Sequence, residues 1–282
     1  MFSFGLIDEL LADPRGTLIL LLLALPGRLL AISAHEAAHG WMAERCGDPT
    51  ARYLGRVTLN PIKHLDPMGV LCMVLFGIGW ARPVPVNPRN FRGNYRKCDF
   101  LVSIAGVAMN LILFVLGCIV MYAVIAAALV MVPAAESLRT ATDFCRTVAE
   151  GAPVLVDGQY YYLISDLMQY GVGLGDLLIV PVFGQTAGYL YEMLTYFVMT
   201  NLVLAVFNLL PVPPLDGYHV LNDLILKGRL YASRKLAGAG QAILYIALFS
   251  GKLTELLSYV YSAVLSGVGT VANGLLHALG LF

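Results

Sequence analysis

An all-α polytopic membrane protein, a bundle of transmembrane helices with one short re-entrant β-like element, is predicted by three observations. Hydrophobic residues make up 59% of the 282 positions and charged residues only 13%. Mean hydropathy is +0.75. Apolar runs long enough to cross a bilayer recur along the chain, a composition that fits neither a soluble globular domain nor a disordered segment. The 18 basic and 18 acidic residues cancel, so where Lys and Arg fall says more than their sum. No basic patch suited to nucleic acid stands out.

The first apolar run extends from about Thr17 to Ala43 and follows Asp8, Glu9 and Asp13. Such acidic residues do not form the basic leader of a cleavable signal peptide, so this span is expected to be retained. A polar stretch with Arg45, Arg52, Arg56 and Lys63 comes next. Then Met68 to Trp80 supplies only thirteen apolar residues, short of the roughly 20 a crossing helix needs. A second basic cluster, Arg82, Arg89, Arg92, Arg96 and Lys97, follows. Basic residues on both sides of so short a segment imply that it dips in and returns to the cytoplasmic face. Gly77 to Asn87, GIGWARPVPVN, then forms the irregular or hairpin-like part, which must be covered by protein or a water-filled cavity.

A second span is read over Phe100 to Val132. From Pro133 to Pro181 acidic residues outnumber basic ones, as suits an extracytoplasmic loop, and Asp157-Gly158 within Val154 to Ile164 favours a tight hairpin turn. The third span, about Thr186 to Leu210, returns to a basic segment, Lys227 to Lys235. The remaining apolar stretch, Leu236 to Phe282, is broken by Gly251, Lys252 and Glu255 and has room for one or two more spans. With no repeat or soluble-domain-sized segment, residues 1–282 read as a single membrane-embedded domain.

Chemistry enters with His35, Glu36, Ala37, Ala38 and His39, an HExxH inside the first span. Positions four apart share one helix face about 6 Å apart along the axis, so both imidazoles can grip one metal while Glu36 works on its water. A catalytic zinc site needs a third protein ligand and an open position for water. The two histidines fall near the cytoplasmic end of their span, so the missing ligand should lie at that depth. Just beyond the third span comes NLLPVPPLDG, Asn208 to Gly217, whose one acidic residue is Asp216. Pro211, Pro213 and Pro214 interrupt any helix there and leave backbone groups that must face protein or water. Asp216 is thus a carboxylate at a helix break, a functional candidate because charge at membrane depth is costly. The alternative is a helix cap, a position aspartate favours.

These residues, together with GRVTLNPIKHLDPMG, WARPVPVNP, SIAGVAMN and NLVLAVFNLLPVPPLDG, resemble the site-2 protease family of intramembrane zinc metalloproteases. The likeness covers about Ala31 to Asn110 and Asn201 to Val220. It implies one zinc ion on His35, His39 and Asp216, Glu36 as general base, and Asn208 holding substrate backbone or the oxyanion. It also implies that Asn110 packs near the site and that Val84 to Val86 belong to a β-element that pairs with an unwound substrate. One departure is Val107, where the family usually has proline. No segment resembles the regulatory PDZ or CBS domains of larger members. The partners implied are membrane-anchored protein substrates in the lipid bilayer of the cell membrane, cut near its cytoplasmic side.

Plainer roles stand beside these. Asn208 and Asn110 suit interhelical hydrogen bonds, and His64 and His219 suit interfacial packing. Arg28, after a Pro-Gly break, suits either snorkelling or a water path to the metal. His277 has no evident role. The five cysteines, Cys46, Cys72, Cys98, Cys118 and Cys145, form no CxxC and read as free thiols. Two other functions compete with proteolysis. A non-proteolytic adaptor would not need Glu36, and a cation transporter would move metal rather than hold it.

Overall fold

The computed structural model describes residues 10–70, 81–131, 154–156, 159–161, 179–229 and 234–279. Helix α1, Pro14–Arg45, has 32 residues, about 48 Å at 1.5 Å per residue, and so outruns a hydrocarbon core of about 30 Å. Its start is set by Asp13, whose carboxylate accepts from the Gly16 N–H at 3.0 Å, and by Pro14 in the first turn. Pro26 lies inside the helix without ending it.

After α1 the chain turns at Gly47, where φ is +104°. Helix α2, Thr50–Tyr53, and a 3₁₀ turn, Pro61–Lys63, follow. Fully buried Asp48 organises this region. Its carboxylate accepts from the Asn87 N–H at 2.6 Å, Asn90 Nδ2 at 2.7 Å, and the Thr50 N–H and hydroxyl. Burial alone would raise its pKa, but these donors hold it below the usual carboxylate range.

Residues 81–87 form neither helix nor regular strand, with one isolated antiparallel bridge between Leu65 and Ala81; Asn87 is extended, and Arg82 and Val84, each before a proline, favour extended backbone. Residues 71–80, where the re-entrant turn is expected, lie outside the described residues. Helix α3, Tyr95–Met131, spans 37 residues. Strands β1, Val154–Val156, and β2, Gln159–Tyr161, pair antiparallel with Val156 opposite Gln159, on either side of the expected Asp157-Gly158 turn; the turn residues and most of the surrounding loop lie outside the described residues. Then come α4, Val180–Phe183; α5, Gln185–Asn208; α6, Asp216–Leu224; α7, Arg234–Phe249; and α8, Lys252–Ala278.

Four of the described helices are long and apolar enough to cross a membrane: α1, α3 over Tyr95–Ala128, α5, and α8 over Glu255–Leu276. The first three match the apolar runs in the sequence within a few residues. The break at Gly251, where φ is +74°, separates α7 from α8.

By its internal contacts the chain divides into two compact units, Met1–Val115 with Tyr196–Leu257, and Leu116–Thr195 with Ser258–Phe282. The first holds every metal-ligand candidate. In it, buried Ala43, Cys46, Cys98 and Val102 cluster, with Val86 and Phe91 packed against them, and so join the end of α1 to the start of α3. Where α1 meets α5, a β-carbon on Gly27 would lie 3.0 Å from the Phe197 main chain. Buried residues of the second unit include Met121, Ile125, Ile179, Tyr261 and Leu265.

Candidate metal centre

Because α1 stays helical through the motif, His35 and His39 stack on one face, their rings nearly perpendicular at 87° with centroids 4.6 Å apart. Their Nε2 atoms lie 3.0 Å apart. Asp216, the first residue of α6, brings Oδ2 to 3.2 Å from His35 Nε2 and 3.3 Å from His39 Nε2. These three atoms make a nearly equilateral triangle. Ligands at about 2.0–2.1 Å around a tetrahedral ion are separated by about 3.3 Å, so the triangle has the size of one tetrahedral face. A single proton can bridge only one edge of it, whereas a cation in front of the face satisfies all three atoms. The residues present therefore fit a divalent metal, and the three form the metal-binding group found among the described residues. Burial would raise the Asp216 pKa, but the two imidazoles facing the carboxylate hold it well below the usual range. The N-cap of α6 is Leu215, with no side-chain cap, so capping does not account for Asp216.

Helix α3 backs this group with one stripe of residues, Asp99, Val102 and Gly106, spaced by three and four. The Val102 carbonyl lies 2.7 Å from His39 Nδ1. Donation there fixes the tautomer and leaves the Nε2 lone pair for a metal. Gly106 leaves room for the rings, since a β-carbon on it would lie 2.5 Å from His39 Nε2 and 2.7 Å from His35 Cε1. Asp99 Oδ2 lies 3.2 Å from His219 Nδ1, one turn after Asp216 on α6. Gly217 is required by contact as well: a β-carbon there would lie 2.2 Å from the Leu209 carbonyl oxygen. The glycine of LDG thus lets α6 start against the end of α5, which sets where Asp216 points.

Glu36 lies on the neighbouring face of α1. Its Oε2 accepts from the Val84 main-chain N–H at 2.8 Å. The extended segment is held beside it by Arg56, buried at 7% exposure, which donates from Nη2 to the Arg82 carbonyl at 2.6 Å and more weakly to that of Pro83 at 3.3 Å. The Arg82 N–H donates to the His64 carbonyl at 2.8 Å.

The other sequence candidates are not drawn into the triangle. Asn208 ends α5 and donates from Nδ2 to the Leu204 carbonyl of its own helix at 3.0 Å. Asn110, fully buried on the stripe one turn beyond Gly106, has no partner for either amide atom among the described residues. His64 is buried and donates from Nε2 to the Thr58 carbonyl at 2.8 Å, a structural role. Val107 is buried mid-helix, and α3 runs through it unbroken. Arg28 is half-buried about two turns before His35, with Tyr196 as an electrostatic neighbour. Cys46, Cys98 and Cys118 are free and buried.

The profile of peptidase family M50 matches residues 23–250, a region that includes every residue of the triangle. Among curated proteins, YwhC of Bacillus subtilis, named as a candidate zinc metalloprotease, is 34% identical over 232 residues, which are 82% of this chain and 80% of that protein. Rip2 of Mycolicibacterium smegmatis, named in the same way, is 35% identical over 100 residues, 34% of this chain and 38% of that protein. No solved structure was found to match.

Proposed function

The chain belongs to peptidase family M50, the site-2 protease family, and is an intramembrane zinc metalloprotease; on that premise we propose that His35, His39 and Asp216 hold one zinc ion and that Glu36 is the general base. The observation that carries this assignment is the triangle of Nε2, Nε2 and Oδ2 atoms with edges of 3.0–3.3 Å, one helical position from a carboxylate. Zinc bound there supplies Lewis-acid chemistry, acidifying water and polarising a carbonyl.

The rest is done by the chain's own groups. Glu36 Oε1 takes the proton from the attacking water and later returns it to the leaving amine. His39 keeps its Nε2 lone pair forward through Nδ1 and the Val102 carbonyl. Asn208 sits eight residues before Asp216, at the end of α5, and is assigned the substrate backbone or oxyanion; its amide must turn from Leu204 to take that role. A helical substrate presents no free carbonyl, so the span being cut unwinds locally beside residues 81–87. Within residues 82–86, Pro83 and Pro85 carry no N–H, and those of Arg82 and Val84 are engaged by His64 and Glu36. Val86 is left as the main-chain donor for a paired substrate strand.

The substrates we propose are membrane-anchored proteins of the cell membrane, cut near its cytoplasmic side. The basic segments after α1 and before α3 support that orientation. We further assign residues 1–282 to one membrane-embedded functional domain, with 133–181 as its extracytoplasmic loop. The test is a panel of tagged single-span reporters co-expressed with the wild-type chain and with Glu36→Gln. Shortened reporters with wild type alone support the assignment. Equal cleavage by Glu36→Gln removes Glu36 from the chemistry.

A further inference from the structure

Beyond its role toward water, the Glu36 carboxylate is already a partner in a main-chain hydrogen bond. From the contact at Val84 we infer that the peptide unit between Pro83 and Val84 is a positioning element for the general base: its N–H holds Glu36 Oε2 and leaves Oε1 to face the water. The inference rests on the assignment of Glu36 as base. Three features make this contact more than incidental.

First, the donor is fixed from both ends. Arg56 holds the carbonyls of Arg82 and Pro83, and Asp48 accepts from the Asn87 N–H. The Val84 N–H therefore projects from a tethered stretch, and its side chain is buried at 8% exposure. Second, flanking prolines make Val84 the only donor between Arg82 and Val86. Pro83 and Pro85 have no N–H, and residues preceding proline are confined to extended backbone. Third, the contact is short, with Glu36 Oε2 2.8 Å from the Val84 nitrogen, and a carboxylate accepting from a main-chain N–H is among the stronger hydrogen bonds. A mobile glutamate would sample several rotamers and reach the water in only some of them. Anchoring one oxygen restricts it to the set that points the other oxygen forward.

The consequence is a division of labour within the extended segment. Val84 serves the base through its main chain and Val86 serves the substrate, so the two positions should fail differently. Proline at Val84 deletes the N–H at a position that, preceding Pro85, favours extended backbone, whereas alanine there keeps it. In bilayer-reconstituted enzyme cutting a single-span reporter, Val84→Pro should lower kcat about ten- to hundredfold with KM and zinc content unchanged. Val84→Ala should retain most of kcat. Val86→Pro should raise KM. An unaltered kcat in a folded, zinc-loaded Val84→Pro enzyme, or a change in KM alone, would overturn the inference.

A second measurement does not depend on the proline variant folding, or on activity. Residues 83–86 carry just two exchangeable amides, those of Val84 and Val86. Hydrogen exchange over this stretch, compared between the full wild-type chain and Glu36→Ala, should speed up at least tenfold at one of the two when the acceptor is removed. Equal exchange in both proteins would show that Glu36 does not hold the Val84 amide. Failure of Glu36→Gln to abolish cleavage would count against the base assignment and leave this exchange result standing, so the two failures are distinguishable.

Discussion

At the scale of single residues, the metal centre depends on an absent side chain as well as on its ligands, because Gly106 of α3 leaves room for both imidazoles. The ligands are the part legible in the sequence, where chemistry resides in side chains at helical spacing. His35, Glu36 and His39 could be placed on one helix because three residue types at fixed offsets carry the information. Asp216 could be singled out because a carboxylate follows a proline-broken span. What could not be read were groups whose identity is main-chain or an absence: the Val102 carbonyl behind His39, the Val84 N–H on Glu36, and the missing side chain of Gly106. Nothing in SIAGVAMN reveals that its glycine faces two imidazoles from another helix. Its importance is steric, and Gly106→Ala tests it. The added carbon would meet His39 Nε2 at 2.5 Å, and overpacking of this kind costs about 1–3 kcal/mol. Zinc should bind roughly ten- to hundredfold more weakly in competition with a chelator, the range seen when groups that support metal ligands are disturbed, while the helical circular-dichroism signal stays unchanged. Wild-type affinity in this variant would mean that α3 does not pack the ligand rings as described.

At the scale of elements, the spanning helices were legible because lipid demands long apolar runs, and ends such as Asp13-Pro14 follow from capping chemistry. Segments that are neither helix nor ladder were harder. Residues 81–87 have no regular strand partner, only one bridge and tethers from Arg56, Asp48 and Glu36, and such tethers come from side chains distant in sequence. Helix α6 is similar. Its nine residues give a weak periodic signal, yet its position decides where Asp216 points. Gly217 against Leu209 fixes one side of α6, and the Asp99–His219 pair ties it to α3. The hydrogen bond to Asp99 raises the His219 pKa above its ordinary value, against the effect of burial. A raised histidine value means that the pair's contribution to stability is complete below about pH 6.5 and is lost as pH rises through the raised value. His219→Gln should therefore lower the melting temperature at pH 6, and the gap to wild type should narrow as the pH is raised into the alkaline range. A gap independent of pH would show that the pair contributes through packing alone.

At the scale of the whole molecule, the site is assembled from parts about 180 positions apart in the chain. Helix α1 brings two nitrogens and the base, α6 brings the oxygen, and α3 holds both. This arrangement explains why the motifs are recognisable separately while their joint geometry is not: composition and periodicity define each span, but only packing brings Asp216 within 3.3 Å of both histidines. It also explains how charged and polar groups are tolerated at membrane depth, since each ligand atom faces another ligand rather than lipid.

The most direct test of that assembly is the zinc content of the purified chain, compared with His35→Ala, His39→Ala and Asp216→Ala by elemental mass spectrometry at equal protein concentration. About one zinc per wild-type chain is expected, lost in all three variants after brief chelation, although Asp216 is so far from the HExxH in sequence. Full retention of zinc by Asp216→Ala would contradict it and require a different third ligand.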